Sequence, residues 1–533
     1  MAVTDSPPEV VTTGASVVTH RQPSGLAGFL GSGDHKVIGR AYIIASLLFG
    51  LAAAVTGELV AVERIDTSRF NILTADTSFQ VFTFHSVSAT FLFLLPLMVG
   101  LAFVVVPLQV GATTIAFPRA AAASFWAWLI AGALVVTSYL INGGPQGGRA
   151  RGVDLWIVAL AAVLAALVLA AACLIATVFG MRAPGMTLGQ VPMFAWSMVV
   201  AGTMWLLTLP VLVGVLILMY VDHKHGRVTF GENSGMYERI VWAFRHPEVY
   251  AFAVPVLGIA GDVLPVSART RQAFRGVAMG AIAAFGALGF GAFVQLSVYA
   301  DAVKQPAYIG MSLLAVLPVL VLLAVWADLF RRGRFSFSAP VLFVVAAVLM
   351  LLVAVLAGAA GAIPALKVAN TEWEPAVTHY ATLGALIAAL GGLYWWATKV
   401  IGRPAGQALG GLAALSLLLG TVLLGFPGLL SAILHAHSKS TKKGLYQALA
   451  TVQVAGGVLV ALGVLAAAAN LVGAARRKSG SDAPGDEVSP SDPWEGHTLE
   501  WATPSPPPLE NFLGPQVVGS PEPLLDRREE AST

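Results

Sequence analysis

Residues 153–180 read VDLWIVALAAVLAALVLAAACLIATVFG, an apolar run broken by a single charge at Asp154. A membrane-crossing helix needs about twenty mainly apolar residues, because lipid cannot satisfy free backbone groups. This stretch meets the requirement, and comparable runs recur along the chain. They lie near residues 38–62, 79–107, 121–142, 153–180, 191–221, 240–266, 275–300, 308–327, 337–361, 375–398, 406–434 and 446–474. The spacing predicts an all-α, polytopic membrane helix bundle with about twelve transmembrane helices. The run 240–266 is the least obvious, because His246 and Glu248 interrupt it.

Composition agrees. Of 533 residues, 57% are apolar and 11% charged, and mean hydropathy is +0.78. A soluble domain carries roughly 25% charged residues, so these charges cover the two faces of a membrane bundle and not the surface of a water-soluble fold. A net charge of +3 without a basic cluster excludes a nucleic-acid partner. The one cysteine, Cys173, sits inside an apolar run; it reads as a small buried side chain and supplies no intrachain disulfide or Cys-rich metal site.

Three segments follow: 1–37 as an N-terminal stretch, 38–474 as the helical domain, and 475–533 as a Pro-rich extended tail containing Pro504-Ser505-Pro506-Pro507-Pro508. The tail composition predicts an extension without its own core. The N-terminal stretch lacks the pattern of a cleaved signal, so the first helix is expected to serve as its own insertion signal. An even number of spans puts both termini on one side, together with the basic segments 268–275, 331–334, 399–403 and 476–478. The positive-inside rule makes that side cytoplasmic, although Arg149, Arg151, Lys439, Lys442 and Lys443 stand opposite.

Of ten histidines, His85, His246 and His379 fall in or near bilayer segments. Counting helices places all three on inward-running spans, and at 1.5 Å per residue they lie roughly 6–10 Å below the outer edge. A common layer of imidazoles from different helices suits a haem or metal, since neutral imidazole ligates iron and two can clamp one haem. Each alone also fits an ordinary interhelical hydrogen bond. His246-Pro247-Glu248-Val249-Tyr250 gathers an imidazole, a carboxyl and a phenol within five residues, with His246 and Tyr250 on one helix face. It fits a proton or redox site, or a polar patch that pins helix packing.

The ordered landmarks resemble subunit I of the haem–copper terminal oxidases, in particular the actinobacterial cytochrome c oxidase type. They are Asp34-His35-Lys36; Phe82-Thr83-Phe84-His85; Pro107-Leu108-Gln109-Val110-Gly111-Ala112; Ala116-Phe117-Pro118-Arg119; Ser124-Phe125-Trp126; Gly152-Val153-Asp154-Leu155-Trp156; Met181-Arg182-Ala183-Pro184-Gly185-Met186-Thr187; the His246–Tyr250 pentad; His379-Tyr380; and Thr498-Leu499-Glu500-Trp501-Ala502-Thr503. The resemblance runs from about residue 30 to 515. It implies that His85 and His379 hold a low-spin haem of A or B type. It also implies that His246 is a remnant copper ligand, Tyr250 the tyrosine linked to it, and Glu248 a proton-route carboxyl.

The departures are equally specific. Where the family carries two further copper-binding histidines, this chain has Phe293 and Val294, and where it carries the histidine of the oxygen-binding haem, Val377. The proton-route Asp and Lys fall at Thr114 and near Leu322. The arginines at the haem periphery align loosely with Ser438, Lys439 and Thr56. Hydrocarbon side chains offer no lone pair to a metal, and one imidazole is poor coordination for copper. Residues 377 and 379 face roughly opposite sides of their helix, so one haem can be lost and the other kept.

The leading expectation is therefore a diverged subunit I in a bacterial cytoplasmic membrane, keeping one bis-histidine haem for electron transfer and lacking copper and a second haem. Its partners would be other respiratory-complex membrane subunits, including a subunit II-like electron donor. A haem-free structural or assembly subunit, an active oxidase with substitute ligands (His435 and His437 being the spare imidazoles), and a transporter stand as alternatives.

Overall fold

A computed structural model of the chain describes residues 25–65, 73–226, 234–290, 306–368, 371–437, 443–477 and 491–532. After a short helix, Gly25–Leu30, the chain forms a bundle. Its helices are α1 (His35–Glu63), α2 (Ala75–Val87, continued through Ser88–Leu94 and Leu95–Gln109), α3 (Pro118–Leu140), α4 (Ala150–Gly180), α5 (Met193–His225) and α6 (Ser234–Ser267). Then come α7 (Arg275–Gly289), α8 (Pro306–Leu314 and Val316–Arg332), α9 (Ala339–Gly361), α10 (Trp373–Trp395), α11 (Gln407–His437) and α12 (Lys443–Arg476). Among the described residues ten helices are long and apolar enough to cross a membrane, and Ala251–Ser267 and Arg275–Gly289 are shorter apolar helices. Each of the twelve apolar runs falls on a helix in its described part. The helix over 240–266 is continuous despite Pro247 and Pro255. Of the expected run 275–300, residues 291–300 lie outside the described residues.

Neighbours in sequence pack as neighbours in space: α3 on α4, α4 on α5, α5 on α6, α9 on α10 and α11 on α12. The exception that shapes the centre is α2, whose apolar window is 94% buried, against 22% for α1 and for α12. Leu48, Leu51 and Val55 of α1 and Val458, Leu462 and Leu465 of α12 are exposed. In water such apolar faces would be a liability; in lipid they are the solvated side.

Between helices in lipid, close packing replaces the hydrophobic drive, so small residues mark the contacts. A side chain on Gly456 of α12 would come within 2.4 Å of the Leu424 backbone nitrogen, and one on Gly420 of α11 within 2.7 Å of that of Val460. These two glycines let the α11 and α12 backbones touch.

The described tail residues gain a core by docking on the end of the bundle. Trp494 stacks on Trp395 with centroids 5.1 Å apart, and Trp501 meets the same ring edge-on at 5.7 Å. The Asp34-His35-Lys36 landmark is part of this dock. Lys36 Nζ donates to Leu509 O (3.1 Å) and Asn511 Oδ1 (2.9 Å), His35 Nε2 lies 3.0 Å from Asn511 Oδ1, and Asn511 Nδ2 donates to Ala112 O (2.8 Å).

Replacing Gly456 by valine should force α11 and α12 apart and lower stability by about 1–3 kcal/mol. Thermal unfolding in detergent would register this as a lower midpoint, with a smaller effect for alanine.

Candidate haem-type site between helices 1, 2 and 10

His85 lies three residues before α2 changes winding. Ser88–Leu94 is π-helical, the kind of local insertion that accumulates at functional sites. The His85 ring is half-buried, and its Nδ1 stands 2.7 Å from the backbone oxygen of Ala53 on α1. A carbonyl only accepts, so Nδ1 carries the proton and Nε2 presents its lone pair. A carbonyl on one ring nitrogen fixes the imidazole in a single tautomer, as it does for histidines that bind metals. Gly57 completes it: a side chain there would lie 2.6 Å from His85 Cε1, so only glycine lets α1 approach the ring.

His379 comes from α10. Its Nδ1 is buried and has no hydrogen-bond partner among the described residues, a cost of about 1–3 kcal/mol for an ordinary polar group left that way. His85 and Arg64 are the charge-bearing groups that act on it electrostatically, so the two imidazoles share one neighbourhood. One turn before His379, Pro375 lines a shallow depression of about 390 Å³ with Arg64, Thr371, Glu372 and His435. There Glu372 sits 4.0 Å from Arg64 Nη2 and 3.4 Å from His435 Nδ1. His435 also stacks on Tyr446 at 4.3 Å, so this spare imidazole is occupied at the rim.

Val377, two residues from His379, is 8% exposed and packs in a small apolar cluster with Ala357, Val368, Trp373 and Ala432. Thr56 turns its hydroxyl back to Ala52 O at 2.9 Å, Thr114 is half-buried and Leu322 is fully buried. His246, Glu248 and Tyr250 lie on α6, but their side chains are outside the described residues, as are those of Phe293, Val294, His437, Ser438 and Lys439. Among the described residues no group of three or more His, Cys, Asp or Glu is gathered around a metal-ion position. Sequence reasoning did not single out Gly57, Arg64 or Glu372. A glycine within a long apolar helix was the available signal for the first. Glu372 stands at the start of α10 itself, and Arg64 is brought to it only by folding.

The family model for cytochrome C and quinol oxidase polypeptide I matches residues 37–466. The chain belongs to this family. As an oxidase polypeptide I-type chain it is 30% identical to the putative cytochrome c oxidase subunit 1-beta of Streptomyces avermitilis, over 96% of this chain and 94% of the relative. It is 28% identical to cytochrome c oxidase subunit 1 of Corynebacterium glutamicum, over 92% and 87% respectively. A solved heme-copper terminal oxidase dimer has the same fold at TM-score 0.67 and 13% identity, covering 86% of this chain and 88% of that one. The chain is thus a multi-pass membrane protein of the cytochrome c oxidase subunit I type.

Substituting Gly57 with valine should push the His85 ring off the Ala53 carbonyl. Labelling with diethyl pyrocarbonate would then modify His85 several-fold faster than in the native protein; an unchanged rate would mean that α1 does not hold the ring.

Proposed function

We propose that this chain is a diverged oxidase subunit I that retains one low-spin, bis-histidine haem for electron transfer and has no oxygen-reducing haem–copper centre of its own. The observation that carries the reading is the pairing of His85, locked with Nε2 available, with His379, whose buried ring nitrogen lacks a partner. The residues fit the group: His85 and His379 would hold it, and it would supply one-electron redox chemistry suited to electron transfer. The work of the chain is positioning. Ala53 orients one ligand, Gly57 admits it between α1 and α2, and the apolar bundle keeps water from the iron.

The loss of the second centre rests on donor atoms. Val377 occupies the position of the family's second haem ligand and packs among hydrocarbon. Phe293 and Val294 replace two copper ligands, which leaves His246, Glu248 and Tyr250 as remnants. The partners are other membrane subunits of a respiratory complex, with a subunit II-like donor. The location in this reading is the bacterial cytoplasmic membrane with both termini inside, which the bias of basic residues among the loops supports. The bond from His85 to Ala53 favours a second reading, a haem-free structural or assembly subunit, because it already ties α2 to α1 without a metal. Family membership favours a third, an active cytochrome c oxidase with substitute ligands.

Purified protein is expected to show a low-spin reduced-minus-oxidised spectrum at about one haem per chain. His379→Ala and His85→Ala should each reduce haem content to near zero, while His223→Ala, whose ring is bonded to Asp154, should leave it intact. A colourless native protein contradicts the proposal and supports the structural reading.

A further inference from the structure

At the end of the bundle where the tail docks, two carboxyl groups from distant parts of the chain meet on one amide. Asp262 of α6 accepts from the backbone N–H groups of Met193 (2.8 Å, to Oδ1) and Phe194 (3.0 Å, to Oδ2) at the start of α5. Gln109, at the end of α2, accepts from Ala195 N through Oε1 (3.1 Å). Its Nε2 donates both to Asp262 Oδ2 (2.7 Å) and to Glu500 Oε1 (3.1 Å) of the tail. Trp396 Nε1 donates to the same Glu500 oxygen at 3.1 Å. Glu500 is fully buried, and its Oε2 has no hydrogen-bond partner among the described residues.

The bonding pattern locates a proton. Three of the four carboxyl oxygens already accept N–H bonds, and Asp262 Oδ2 and Glu500 Oε1 accept two each. Glu500 Oε2 is the one with no hydrogen bond among the described residues, so it takes the proton at least cost. A second buried negative charge beside Asp262 is costly, and only the nearby Thr498 hydroxyl and the Glu500 backbone N–H offset it. We propose that Glu500, Gln109 and Asp262 form a proton-binding site joining the tail to the bundle, and that loss of the proton from Glu500 loosens the docked segment around Leu499–Ala502. The site is separate from the two histidines and does not depend on the haem.

The charged and titratable surroundings are few. Arg275, at the start of α7, acts on Asp262, and the Thr498 hydroxyl lies near Glu500. Lys399, following α10, faces both Glu500 and Asp492. Its Nζ donates to Ser491 O (3.0 Å), Thr503 O (2.7 Å) and Ser505 Oγ (3.0 Å), clamping the tail on either side of Glu500.

Burial, and then the Asp262 charge, raise the Glu500 carboxyl from its ordinary 4.5 to about 7. A raised acid binds its proton more tightly docked than undocked. Its stabilisation is therefore complete below about 4.5, falls as pH rises toward about 7, and is flat beyond. Lys399 works in the opposite sense. Burial lowers it from 10.5 to about 8, against the opposing pull of Glu500 and Asp492, so docking recovers as pH climbs above about 8. Tail protection should pass through a minimum between these two values.

Hydrogen exchange of peptides from residues 491–512, corrected for the intrinsic acceleration of exchange with pH, reads this directly on the full chain in detergent. Between pH 4.5 and 7 the opening equilibrium should increase by on the order of a hundredfold. Glu500→Gln, which keeps the shape and cannot lose a proton, should abolish that dependence. Lys399→Arg should remove the recovery above pH 8 and leave the acid limb in place. A flat native profile overturns the proposal, as does a Glu500→Gln profile that keeps the native acid limb. If Glu500→Gln fails to accumulate, infrared spectroscopy of the native protein decides: the carbonyl band of a buried protonated carboxyl must be present at acid pH and be lost around pH 7, where the loosening levels off, and its absence at acid pH refutes the site.

Discussion

An imidazole placed among hydrocarbon must have both of its ring nitrogens satisfied, and the site depends on how that constraint is met. At His85 one nitrogen is met by a backbone carbonyl of the neighbouring helix, which leaves the other with a defined lone pair. At His379 a buried nitrogen is left unmet by the protein itself. The first fact orients a ligand and the second calls for one. Around them the bundle does what lipid requires. α2 is enclosed, α1 and α12 present apolar faces outward, and glycine stands where a side chain would strike an imidazole or a neighbouring backbone.

Much of this could be read from the chain before folding. The apolar runs marked the helices, because bilayer thickness sets a length that chance rarely supplies without charge. His85 and His379 stood out because polar residues within such runs are costly and usually functional. What could not be read was partnership. Nothing in the sequence near Ala53 or Gly57 announces that they meet His85, 32 and 28 positions further on, because backbone carbonyls and missing side chains carry no residue-type signal. Arg64, at the end of α1, reaches the rim above His379 only through the fold, where it meets Glu372 at the start of α10.

The tail shows the same limit more sharply. Its composition of Pro, Ser, Gly and acidic residues predicts an extension without a core. Its described part is anchored instead by single polar and aromatic residues: Trp494 and Trp501 on Trp395, Asn511 on His35 and Lys36, Glu500 on Gln109. Periodicity detects helices and is blind to such point contacts. The Thr498–Thr503 landmark marked the segment as similar to the family, but its physical role emerged only with the buried carboxyl cluster.

The departures at Val377, Phe293 and Val294 and the pair His85 and His379 are the residues on which the proposal of one kept and one lost metal-binding position rests. The decisive measurement is carbon monoxide binding to the dithionite-reduced, purified protein, recorded optically alongside copper analysis of the same sample. The account predicts no spectral change on adding the gas and no stoichiometric copper. A carbon monoxide-reactive second haem accompanied by bound copper would contradict it.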